Sequence, residues 1–122
     1  IQRDGVNFND PVGAGVQIFA GALVVLNATG YLVPATTATG LARPTVAQEN
    51  VDNSAGADGD VSCESKKAPY HFANDGSIDR THIGGTAYIV DDQTVAATDG
   101  AGTRSAAGEI IDVDADGVFV DL

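Results

Sequence analysis

Apolar and polar residues alternate along this chain in short stretches, and the repeat is close to two rather than 3.6. No stretch holds the i, i+3, i+4 spacing of an amphipathic helix for a useful length. The longest extended piece is Asp60 to Phe72. Val61, Cys63 and Ser65 share one face there, and Ala68, Tyr70 and Phe72 share the other phase. The phase changes near Lys66-Lys67, as one extra residue in a strand would cause. Shorter strands are predicted at Val16 to Phe19, Leu23 to Leu26, Tyr31 to Val33, Leu41 to Gln48, Thr86 to Val90 and Thr94 to Ala97. Pro44 marks an edge or a bulge in its strand. The closing stretch, AAGEIIDVDADGVFVDL, predicts a hairpin. Its strands are Ile110 to Val113 and Val118 to Val120, and its turn is Asp114-Ala115-Asp116-Gly117. Ile111 and Val113 are expected on one face, with Ile110 and Phe119 pointing the other way.

The connections carry turn chemistry. Asn27-Ala28-Thr29-Gly30, Asn74-Asp75-Gly76 and Asp91-Asp92-Gln93 each supply side-chain acceptors or a positive φ. Glu49 to Gly59 and Asp99 to Arg104 are loops by composition. One short helical turn fits between Ile78 and Ile83. About eight short strands at near-regular spacing predict an all-β domain, a small β-barrel or sandwich. Residues 1–15 read as an extended N-terminal arm bearing Val6, Phe8 and Val12, and residues 16–122 as a single β domain. Two readings of the arm stand side by side. It is a frayed terminus, or it lies on a neighbour and adds a strand or an apolar anchor.

Charge changes the functional picture more than it changes the fold. Six basic residues face seventeen acidic ones, a net charge of −11. Such a surface repels phosphate backbones and anionic membranes, so neither nucleic acid nor membrane is an expected partner. The apolar run Ala20 to Leu26 is too short to span a bilayer and lacks the flanks of a secretory signal.

Candidate chemistry is sparse. Asp112-x-Asp114-x-Asp116-Gly117 matches the start of an EF-hand calcium loop. Its flanks read as strands, and the twelfth-position carboxylate has no counterpart in the sequence. Asp52, Asp58 and Asp60 are too loosely spaced for a calcium loop. Cys63, His71 and His82 lack the paired spacing of a zinc site. The single cysteine reads as a small buried side chain. No Gly-x-Ser-x-Gly elbow and no phosphate-binding glycine loop occurs in the sequence. Gly108-Glu109-Ile110-Ile111-Asp112 loosely matches a motif of trimeric dUTP pyrophosphatases, whose other motifs are missing. The expectation is therefore a protein that is not an enzyme, with no catalytic, cofactor or metal residues.

Three stretches carry a resemblance to a known family. They are Ala20-Gly21-Ala22-Leu23-Val24; Gly85 through Val95, GTAYIVDDQTV; and Ala107-Gly108-Glu109-Ile110-Ile111-Asp112-Val113 with Asp116 through Leu122. Together they resemble the small capsid decoration, or cement, proteins of tailed bacteriophages, over roughly Val16 to Leu122. The resemblance implies an all-β domain of the β-tulip or small-barrel kind. It implies a virion protein on the outer surface of the capsid that bridges and stabilises major capsid protein subunits. It further implies a homo-oligomer, with a trimer favoured and a dimer possible. Val6, Phe8 and Val12 of the arm are the expected capsid-binding residues. The alternative is a surface-displayed carbohydrate-binding or adhesion module, which would need exposed aromatic side chains.

Overall fold

The computed structural model describes residues 6–122. Twelve strands and one short 3₁₀ turn make up the regular structure of those residues. The chain is all-β: a small closed barrel beside a five-stranded sheet, with a two-stranded pair covering the sheet's second face.

The first half of the chain builds the sheet. β1 (Val6–Pro11), β3 (Leu23–Leu26), β4 (Leu32–Pro34), β5 (Ala42–Ala47) and β7 (Ser62–Lys67) lie in the order β1-β7-β5-β3-β4. Every neighbouring pair is antiparallel. β2 (Gln17–Ile18) and β6 (Val51–Asp52) form the separate pair. The segment read as an arm is, where described, β1: it pairs with β7 along its whole length, from Val6 opposite Lys67 to Pro11 opposite Ser62. Ile1 to Gly5 of that arm lie outside the described residues.

β3 explains how two cores coexist. Leu23, Val24 and Val25 are consecutive and all fully buried, which requires cover on both faces of the strand. Leu23 and Val25 pack into the larger core with Val46 and the barrel's Phe72, Ile89, Ile110 and Val118. Val24 points the other way, into a smaller core with Val12, Ile18, Leu32 and Cys63. Pro44 sits at a bulge, as its sequence context predicts. Arg43 and Pro44 together oppose one β3 residue between the pairs Val24–Thr45 and Leu26–Ala42. Arg43 takes φ 48° to make that bend.

The second half builds the barrel: β8 (Pro69–Asn74), β9 (Thr86–Ile89), β10 (Thr94–Ala96), β11 (Ala106–Asp114) and β12 (Gly117–Asp121), closed in the order β10-β8-β12-β11-β9. β10 runs parallel to β8 and the other pairs are antiparallel. β7 and β8 are nearly one strand, broken only at Ala68. The buried phase switches there from Cys63 and Ser65 to Phe72, where the alternation in sequence places it. The predicted helical turn is the 3₁₀ turn Arg80–His82, capped by the Asp79 carboxylate on the Thr81 amide at 2.9 Å.

The final hairpin departs from expectation in phase. Ile110 is buried with Val118, Val120 and Leu122, while Ile111 is 40% exposed. A bulge between Ile110 and Asp112 is the reason: Ile110 opposes Val120, Asp112 opposes Phe119, and Ile111 has no partner on β12. The bulge turns Ile111 outward and lets Val113, the next partly buried residue, face the larger core.

Candidate functional site

The sequence-derived candidates are spread over the molecule. Val12, expected on a capsid-binding arm, is fully buried in the smaller core. Its amide donates to the Val61 carbonyl at 2.9 Å. Val6 and Phe8 are half-buried. The Arg43 guanidinium lies 3.9 Å from the centre of the Phe8 ring and pairs with the Asp10 carboxylate. Arg43 therefore clamps β1 from across β7. The opposite edge of β1 pairs with no strand among the described residues, and Asn7 and Asn9 are exposed along it.

Cys63, His71 and His82 each have separate partners. The Cys63 thiol lies 3.4 Å from the Glu64 carbonyl and 3.9 Å from that of Glu49. Burial, reinforced by the charges of Glu49, Asp10 and Glu64, pushes its pKa up to about 11. A thiol held protonated at neutral pH is a poor nucleophile. We predict that Ellman's reagent labels the native protein at pH 7 more slowly than a free thiol by at least about a hundredfold, and labels it at once in denaturant. Fast labelling of the native chain would contradict this placement. His82 Nδ1 accepts from the Asp79 amide at 3.0 Å and so belongs to the cap of the 3₁₀ turn.

The acidic loops also serve as local acceptors. Asp52 Oδ1 takes the Ser54 amide at 2.9 Å and the Ser54 hydroxyl at 2.6 Å, and both bonds hold its carboxyl below the usual range. Asp58 takes the Ala14 amide and Asp60 the Ala57 amide, each at 2.8 Å. In the calcium-like run, Asp114 Oδ1 accepts from the Asp116 and Gly117 amides at 2.8 Å. That is turn chemistry, and the Asp116 amide and the His71 ring hold the Asp114 carboxyl low.

A concave site appears where the two halves of the fold meet. A cleft of about 320 Å³ lies between the Phe19–Ala22 turn, β8, the β9–β10 turn and the β11–β12 turn. Phe19, His71, Gln93 and Asp116 line it with main chain of Gly21 and Ala73. Its walls are held in place. The Ala20 amide donates to Asn50 Oδ1 at 2.8 Å, and the Gly21 amide to the Ala47 carbonyl at 2.8 Å. The Ala73 amide donates to the Gln93 carbonyl at 2.8 Å. On the rim, His71 Nε2 lies 3.3 Å from Asp114 Oδ1, and the His71 ring meets Phe119 edge-on with centroids 4.9 Å apart. Gly117 permits this crowding, since a Cβ there would collide with the Phe72 carbonyl. Phe19 is 55% exposed and Phe119 39% exposed. Phe119 lies on the surface, and Tyr88 is half-buried. Sequence reasoning passed over Phe19, although its alternation with buried Ile18 carries the signal that it points outward.

No family model, curated protein or solved structure matches the chain.

Proposed function

We propose that this chain is a capsid decoration protein of a tailed phage, bound to the outside of the assembled head. The open edge of β1, with Asn7 and Asn9 exposed beside it, is the observation that carries the reading. Such an edge accepts a strand or a loop of a partner by main-chain hydrogen bonds. The acidic surface suits an outward-facing shell protein. The small all-β domain agrees with what the resemblance implies. A protein that binds only the assembled shell stabilises that state by mass action, and several weak contacts per oligomer multiply the effect. Val6 and Phe8 would act through the edge strand they hold in place, and Val12 as its anchor in the core.

The test is cosedimentation with heads purified without this protein, followed by heating. Saturable binding at a fixed ratio to the major capsid protein, with a raised rupture temperature, is expected. Absence of binding would overturn the reading. Deleting the arm is a poor probe, because it would strip Val12 from the core. Asn7→Lys with Asn9→Lys instead tests the edge: head binding should fall while the free protein melts normally, and unchanged binding would refute the β1 contact.

A further inference from the structure

We infer that the cleft between Phe19 and Asp116 is a binding site for a neutral sugar ring. The inference rests on side-chain chemistry and is independent of the capsid reading. Phe19 lines the concavity and is 55% exposed, so its ring is available to a ligand. Aromatic faces of this kind stack on the C–H face of a sugar. The side-chain amide of Gln93 and the carboxylate of Asp116 make no hydrogen bond among the described residues. The main-chain amides of the same two residues are bonded, at 2.9 Å to Asp91 and 2.8 Å to Asp114, so the two side chains are positioned and unspent. An amide supplies both a donor and an acceptor, and a carboxylate accepts from two hydroxyls. Phe19, Gln93 and Asp116 line one concavity, which sets an aromatic surface beside amide and carboxylate groups able to bond the vicinal hydroxyls of a sugar. The volume is at the small end for ligand sites and suits one or two rings.

Charge selects against the competing ligands. Asp116 lines the cleft, and Asp114 lies 3.3 Å from the lining His71, on a chain of net charge −11, which disfavours phosphates, uronates and acidic peptides. The cleft's main-chain donors at Ala20, Gly21 and Ala73 are already taken, so no nest of amides is left to hold an anion.

The intact chain would be titrated with methyl β-glucoside, methyl α-mannoside, galactose and N-acetylglucosamine, each to millimolar concentrations, and followed by two-dimensional amide NMR. At least one sugar should give saturable shifts confined to Ala20–Ala22, Ala73, Gln93 and Asp116. Phe19→Ala should weaken that binding by roughly two- to tenfold, the equivalent of one lost stacking contact. Phe19 is exposed, so this variant keeps the fold. Asp116→Asn and Gln93→Ala should each weaken it as well. The inference is overturned if none of the four sugars gives saturable shifts. It also falls if the shifts survive Phe19→Ala, or if glucuronate or inorganic phosphate binds more tightly than the neutral sugars.

Discussion

Gly108→Ala is expected to lower stability by about 3 kcal/mol, the upper part of the range for overpacking, and the melting temperature by roughly 10 °C. Gly108 lies in β11 between two partners. It opposes Ala87 of β9 at a bulge, and its neighbour Glu109 opposes Asp121 of β12. A Cβ at this position would land on the Asp121 carbonyl, 2.8 Å from its carbon and 3.0 Å from the Leu122 Cα. Those atoms are main chain, so no rotamer change makes room. The end of β12 must move away from β11, and Val120 and Leu122 leave the larger core with it. Denaturant unfolding measures the loss. A change below about 1 kcal/mol would mean that the two strands are not packed as described.

Asn53→Ala follows, with an expected loss of about 2 kcal/mol. Asn53 is 3% exposed, although it sits in a loop of mostly solvent-facing residues. Its Nδ2 faces the carbonyls of Gly13 at 2.8 Å, Ala57 at 3.0 Å and Val12 at 3.3 Å. Its main chain pairs with Val16 and Gly15. One side chain therefore ties the loop after β6 to the segment after β1, and alanine leaves three acceptors without that donor. Asn53→Asp should be worse than Asn53→Ala, because it puts a carboxylate against the same three carbonyls. Amide exchange should quicken at Gly15, Gly56 and Gly59 and stay unchanged in the barrel. If the two variants were equally stable, the donor role assigned to Nδ2 would be wrong.

Local chemistry made much of this fold legible in the sequence. Asn27 accepts from the amides of Thr29 and Tyr31 at 3.0 Å, and Gly30 takes φ 86°, as the Asn-Ala-Thr-Gly signal predicts. The turn at Asp91 is closed by the Gln93 amide at 2.9 Å. The alternation from Val61 to Phe72 located both strands and the switch between them. What stayed hidden is non-local. β1 reads as a loose arm because its partner, β7, lies more than fifty residues away, and only the pairing explains why Val12 is buried. The two-residue β6 is too short to show a period. A single bulged residue was enough to reverse Ile110 and Ile111. Asn53 carries no sequence mark, since a buried amide and a solvated one look alike until the carbonyls around it are known. The cleft escaped notice for the same reason: Phe19, Gln93 and Asp116 come from separate connections that meet only where the sheet half packs against the barrel.

Closure of that barrel depends on β12 reaching back to β8, across more than forty residues of intervening chain. Before β12 docks, the domain has every strand of the five-stranded sheet but a barrel with one stave missing. Leu23 and Val25, which face the larger core, then lack their cover from Val118 and Val120. β8 and β11 present open edges to any neighbouring chain for the same interval. Docking of β12 is thus the committing step, and the time before it is when this domain is most exposed to pairing with its own copies.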